Sequence, residues 1–164
     1  MSDLLVRLYD LPDVAPKAVL REQSITIRRA MAAEAHVVLP WIEQHFDAPW
    51  VSEAVRAFSR PVVTMWIAVR GNALEGFACY DCTMRGFFGP TGVKESARGL
   101  GIGEALLFAT LRDMRDAEYA YAIIGGVGPV AFYRKHLDAL EIPGSEPGIY
   151  GPMLHADAAR RAGR

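Results

Sequence analysis

Residues 93 to 104 read Val-Lys-Glu-Ser-Ala-Arg-Gly-Leu-Gly-Ile-Gly-Glu and carry three glycines in five positions, where an extended segment gives way to an amphipathic helix. Glycine costs roughly 1 kcal/mol against alanine inside a helix, so this spacing builds neither element well and has a local use. Without Cβ atoms at Gly99, Gly101 and Gly103, the backbone turns sharply and a bulky group can lie against its N–H donors. A helix start already offers unpaired N–H groups and the positive end of the helix dipole. The chemistry this predicts is binding of a phosphate or diphosphate. An ordinary helix cap with surplus glycines is the alternative.

The loop is neither of the two commonest phosphate loops. A Walker loop requires Lys and then Ser or Thr after its last glycine, and Glu104 stands there. A Gly-x-Gly-x-x-Gly fingerprint counted from Gly99 meets Glu104 at its sixth place.

Together with the helix after it and the segment Ala131-Phe132-Tyr133-Arg134-Lys135, the loop resembles the GNAT superfamily of N-acetyltransferases. The family signature is Arg or Gln, two residues, Gly, one residue, then Gly or Ala, and Arg98-Gly99-Leu100-Gly101-Ile102-Gly103 is similar to it. Val93 stands where an apolar residue commonly ends the family's fourth strand. Phe132-Tyr133-Arg134-Lys135 is similar to the Phe-Tyr-x-Lys core of its fourth helix. The strict resemblance covers about residues 87 to 136, and the flanks fit by element order only.

The resemblance implies an α/β fold with a mixed, mostly antiparallel twisted sheet, helices on both faces, and fourth and fifth strands that splay apart. It implies acetyl-CoA as cosubstrate, bound by Val93, Arg98, Gly99, Leu100, Gly101, Ile102, Gly103 and Glu104, with its pantetheine arm in the splay and its diphosphate on the amides of Gly99 to Glu104. It implies acetyl transfer to a primary amine, which needs a neutral amine, a stabilised oxyanion and a protonated leaving thiolate. Tyr133 matches the tyrosine that donates a proton to the departing sulfur, and a backbone N–H near residues 91–93 is expected at the oxyanion.

The sequence departs from the family pattern in three places. Where many members carry a Glu on strand four, Phe87 stands, so Asp81 is the first candidate for the general base, with Glu53, Glu43, His45 and Asp47 behind it. Gly126 replaces a common Asn, and Leu137 a common Gly. Each carboxylate is also readable as a solvated surface charge. His45 with Glu43 and Asp47 lacks the spaced partner a metal site needs, and no metal is expected.

The acceptor side is aromatic: Trp41, Phe46, Trp50, Phe87, Phe88 and Tyr150. The short link from 140 to 149 leaves no long lid for a large protein, which favours a small-molecule amine. Residues 86–93 and 144–150 faintly resemble enzymes of the family that acetylate amino sugars. Acetylation of a protein N-terminus or lysine is a rival reading. A non-catalytic acyl-CoA-binding module is another, although it would not need Tyr133.

These residues need a scaffold, and the elements are readable. Alternation predicts a first strand at 24–29. Helices are expected over 31–46, where Pro40 kinks or divides the element, and over 50–58. Residues 62–69 and 74–83 form a hairpin about Gly71-Asn72. The fourth strand, 86–93, must bulge or part from a neighbour, because Pro90 cannot donate to a ladder. The strongest helix is 103–117, with Leu107, Leu111 and Met114 inward and Arg112, Asp113, Arg115 and Asp116 in water. Residues 119–124 read as a buried central strand and Pro129 as a first helical residue. Short final strands are expected at 140–142 and 149–154. Residues 1–23 read as a short helix and an arm packed on the core, and 155–164 as a polar, fraying tail.

The 164 residues suit one domain, and 51% hydrophobic with 23% charged residues is an ordinary globular composition. A net charge of -1 argues against a nucleic-acid partner. Asp3, Arg7 and Asp10 interrupt any apolar leader, and no apolar run suits a bilayer, so a cytoplasmic protein with no membrane partner is expected. The oligomeric state is left open, a homodimer included. Cys79 and Cys82, if both lie on a strand, point to opposite faces and are two part-buried thiols.

Overall fold

The computed structural model describes residues 2–128 and 130–154. The strands are β1 (Leu4–Arg7), β2 (Ile25–Arg29), β3 (Met65–Arg70), β4 (Ala73–Tyr80), β5 (Phe87–Val93), β6 (Tyr121–Ile124) and β7 (Leu140–Glu141). They form one seven-stranded sheet in the order β2-β3-β4-β5-β6-β1-β7. Every pairing is antiparallel except β5 with β6. The helices are α1 (Ala18–Glu22), α2 (Ala35–His45), α3 (Ala48–Phe58), α4 (Ile102–Asp116) and α5 (Val130–His136).

The period-two alternation of the strands sorts side chains to two cores. Along β4, Phe77 and Cys79 pack with Val38 and Ile42 of α2 and Ala54 and Ala57 of α3. Ala78 and Tyr80 pack on the other face with Leu106, Leu107, Leu111 and Met114 of α4. Helices thus cover both faces, as expected. The inward stripe of α4 is buried, but Asp113 does not face water. It pairs with Arg29 and accepts a hydrogen bond from Trp66 Nε1 at 3.1 Å. The α2 helix continues through Pro40 undivided.

The largest departure is at the N-terminus. Residues 4–7 are not an arm but an interior strand, β1, between β6 and β7 with Leu4 and Val6 buried. The expected fourth and fifth strands are therefore β5 and β6. Residues 149–154 are no strand either: a single 3-10 turn, Gly148–Tyr150, stands there, followed by a turn at 151–152. The helix-start reading of Pro129 and the tail 155–164 lie outside the described residues. The two cysteines share one core, because the chain leaves strand geometry at Asp81 (φ 59°) and turns Cys82 back toward Cys79.

Pro90 does what its missing N–H requires. In the β4–β5 ladder Ala78 faces Thr91 and Tyr80 faces Phe88, so Gly89 and Pro90 together oppose Cys79 alone. This bulge bends β5. β5 pairs with β6 only through Phe87 and Phe88, opposite Ile123 and Ile124. Beyond Phe88 the two strands part.

Candidate active site

The parting of β5 and β6 opens a cavity of about 1040 Å³. One wall is β5 from Phe88 to Val93, and the opposite wall is Ile124 to Gly128. The first turn of α4 closes one end. α3 and the Pro147–Tyr150 segment close the other, and Tyr133 of α5 stands between.

At the α4 end the backbone is arranged for an anion. Gly101 is the N-cap in left-handed conformation (φ 84°, ψ 8°), and no side chain caps the helix. The N–H groups of its first turn therefore lack intrahelical acceptors. Gly99 also has φ +84°. Arg98 donates from Nε to the Val93 carbonyl at 3.3 Å, joining the loop to the end of β5. Val93, Arg98, Gly99, Gly101, Ile102, Gly103 and Glu104 all line the cavity. Leu100, half-buried, packs against the α4-side core instead.

Tyr133 is buried beneath the middle of the cavity, with Phe132 and Phe88 edge-on at centroid distances of 5.2 and 6.3 Å. Burial alone pushes its phenol up to about 12, so the hydroxyl stays protonated at neutral pH.

The far end is aromatic and acidic. Phe46 stacks on Trp50 at 5.0 Å, and the Phe46 ring occupies the place where a side chain at Gly92 would stand. One helical turn along α3 from Trp50, Glu53 accepts a short hydrogen bond from the Thr83 hydroxyl. The Tyr150 hydroxyl lies 2.5 Å from where a Cβ at Gly125 would be. Burial, and then the charge of Glu53, raise the Tyr150 phenol above its ordinary value.

Asp81 is not brought to this cavity. It is almost wholly buried and fully engaged: Arg60 Nη2 donates to Oδ2 at 2.6 Å, Tyr119 Oη donates to Oδ2 at 2.7 Å, and the Gly86 N–H donates to Oδ1 at 2.7 Å. Its position fits a brace for the turn between β4 and β5. Of the other base candidates considered, only Glu53 reaches the cavity wall; Glu43, His45 and Asp47 do not line it. Sequence reading had no signal for Lys17, Thr83 or His136, which also line it. The i,i+3 spacing of Trp50 and Glu53 would have placed both on one helical face.

No family model matches the sequence, and no curated protein matches it. Solved structures do match. A GCN5-related glucosamine N-acetyltransferase region of a fungal multi-domain GH3 β-N-acetylglucosaminidase superposes with a TM-score of 0.71 at 13% identity, over 86% of this chain and 19% of that one. The chain has the GNAT fold. A GCN5-related N-acetyltransferase from Sphaerobacter thermophilus matches with a TM-score of 0.64 at 18% identity, over 85% and 48% of the two chains. An aminoglycoside acetyltransferase from an uncultured soil metagenomic sample, in complex with trehalose, matches with a TM-score of 0.51 at 14% identity, over 69% and 87%. The chain thus spans about a fifth and about a half of the first two. Among the described residues of this GNAT-fold chain, no helix is long and apolar enough to cross a membrane, and no cluster of three or more His, Cys, Asp or Glu is placed to hold a metal ion.

Proposed function

We propose that the protein transfers the acetyl group of acetyl-CoA to the primary amine of a small molecule, with amino sugars the first class to test. One observation carries this reading. A single cavity runs from an uncapped, glycine-rich helix start, past a buried neutral tyrosine, to a carboxylate on an aromatic wall. A thioester with a diphosphate tail needs the first feature, its leaving thiolate the second, and an incoming amine the third.

The residues fit that cosubstrate. The N–H groups of residues 99–104 would hold the diphosphate at the α4 dipole. The edge of β5 that β6 leaves unpaired offers backbone groups to the amide-bearing pantetheine arm. Acetyl-CoA supplies an activated acyl carbon. Glu53 takes a proton from the ammonium form of the acceptor, freeing its lone pair. As the amine attacks the carbonyl carbon, negative charge develops on the carbonyl oxygen, and an N–H of residues 91–93, exposed by the bulge, stabilises it. As the C–S bond breaks and its electron pair moves onto sulfur, the Tyr133 hydroxyl donates a hydrogen bond to the developing thiolate, and the surplus proton of the attacking nitrogen passes through solvent to the sulfur. The products are an N-acetyl amide and free CoA.

Charge and shape support a small acceptor. The acidic far end attracts a cationic amine, and Trp50 with Phe46 gives a flat apolar wall suited to the face of a sugar ring. The Tyr150 ring packs over Gly126, 3.2 Å from where its Cβ would lie, and lines this end of the cavity. The test is acetyl-CoA with a panel of amino sugars, aminoglycosides, polyamines, arylamines and peptides, following thiol release. Turnover with a small amine is expected. Turnover with peptides alone would overturn the acceptor assignment, and binding without turnover on any amine would favour a binding module.

A further inference from the structure

The first turn of α4 contains a feature that works against its proposed ligand. Glu104, its third residue, is largely buried (side chain 14% exposed) and places a carboxylate beside the N–H groups that would hold a diphosphate. Two basic side chains flank it. Lys17 Nζ lies 2.5 Å from Oε2, and His136 Nδ1 lies 3.3 Å from Oε1. Carboxylate and diphosphate repel each other at this range unless a cation stands between them.

Lys17 is placed to be that cation. Its side chain crosses directly over Gly101, with Cδ 2.8 Å from where a Cβ would be, so the glycine makes room for the lysine as well as for a ligand. Its backbone is fixed. Leu11 and Val14 pack on the core, Arg112 Nη2 donates to the Val14 carbonyl at 2.6 Å, and Lys17 itself is the N-cap of α1. Its side chain is half exposed, so the four-carbon stem can turn while the backbone stays. Of the other basic side chains lining this end, Arg98 is held through Nε to β5, the His136 ring lies against Glu104, and Lys135 is exposed on α5.

We infer that Lys17 is an exchangeable countercation of the diphosphate site. It pairs with Glu104 in this structure and turns to the diphosphate of bound CoA, leaving Glu104 to His136. This deepens the acyl-CoA reading and rests on it. A phosphate takes a lysine as a point charge through charge-assisted hydrogen bonds, stronger than neutral ones.

Calorimetry on the full chain tests it with three probes: CoA, dephospho-CoA, which keeps the diphosphate but lacks the 3′-phosphate, and pantetheine, which lacks both. Lys17→Met should weaken CoA and dephospho-CoA alike, by about tenfold, as expected for one lost charge-assisted contact, and leave pantetheine unchanged. Glu104→Gln should tighten CoA by about threefold, because a competitor and a like charge are both removed. Lys17→Gln should repeat the first result, and thermal midpoints check that each variant folds.

An unchanged CoA affinity in both Lys17 variants overturns the inference, and so does an equal loss on pantetheine. A loss confined to CoA and absent with dephospho-CoA moves Lys17 to the 3′-phosphate and also overturns it. Weaker CoA binding in Glu104→Gln would show that the carboxylate positions the site instead of competing for Lys17, which sinks the exchange. A wild-type protein that binds none of the probes removes the acyl-CoA reading itself. Wild-type binding with indifferent Lys17 variants removes only this inference.

Discussion

Replacing Tyr133 with Phe isolates one hydroxyl. The ring is 5% exposed and held edge-on by Phe132 and Phe88, so phenylalanine fills the same space. What is lost is a donor whose acidity burial has weakened, from an ordinary 10.0 to about 12. A thiol titrates near 8.5, so complete transfer from this phenol to a free thiolate would run uphill by roughly 4–5 kcal/mol. Donation must therefore accompany C–S cleavage, as a hydrogen bond to sulfur that strengthens as charge develops. A hydrogen bond to a charged group contributes about 1.5–3 kcal/mol. The chemical step should slow by roughly 10- to 100-fold, without the larger collapse expected of an obligatory proton source. Single-turnover release of CoA thiol measures the step, and calorimetry with CoA measures binding. An unchanged rate would refute the role of Tyr133. A loss of affinity as large as the loss of rate would make the residue a packing element of the cavity.

Other outcomes follow from the same geometry. Glu53→Gln should lower kcat by about 10²–10⁴, the range for a lost general base, with CoA affinity unchanged; a wild-type rate would move the base elsewhere. Asp81→Asn should leave kcat within about twofold and lower stability by about 2–4 kcal/mol in denaturant melts, because Arg60 loses its buried partner. A large fall in kcat with intact stability would return Asp81 to the chemistry. Tyr133 is held above its unfolded value, so its contribution is complete below pH 10 and is lost as pH rises through about 12. Wild type should lose roughly 2 kcal/mol through this residue between pH 8 and pH 11.5, and Tyr133→Phe should not, as melts at those two values would show.

The parts of the site legible in sequence were those built from neighbours in the chain. The glycine loop, the amphipathic stripe of α4 and the bulge forced by Pro90 each depend on residues a few positions apart, and each stands where its pattern put it. What was not legible depends on contacts across the fold. Residues 4–7 show no flanking turn and no long alternation. They become a strand because β6, more than a hundred residues later, offers an edge, pairing Leu4 with Ile124 and Arg7 with Tyr121. Which of Asp81 and Glu53 reaches the cavity depends on how the end of β4 meets α3. A left-handed residue at Asp81 turns its carboxylate onto Arg60, Tyr119 and the Gly86 N–H, whereas Thr83 two residues on reaches Glu53. The cysteine pair was misplaced for the same reason, since strand alternation stops at that turn.

The N-terminal segment, read from sequence as an accessory arm, meets the cavity at both ends, and this changes how the site is held. At the far end Asp3, just before β1, is buried. Its Oδ1 accepts from the Gly126 N–H at 2.9 Å, its backbone N–H donates to Ser145 Oγ at 2.8 Å, and its carbonyl accepts from the Ile142 N–H at 2.9 Å. One residue thus fixes the left-handed turn at Gly126 (φ +55°), over which Tyr150 packs, and the loop that brings Tyr150 there. Gly126 holds the place of a side-chain amide that the family often has. Asp3 supplies an acceptor to the backbone at that point, from a different element. At the other end Lys17 lies over Gly101. Because β1 is an interior strand, these two ends are joined through the sheet and not by a loose tether. The splay between β5 and β6 can then stay open without a helix or strand filling it: its walls are held from behind, by β4 on one side and β1 on the other.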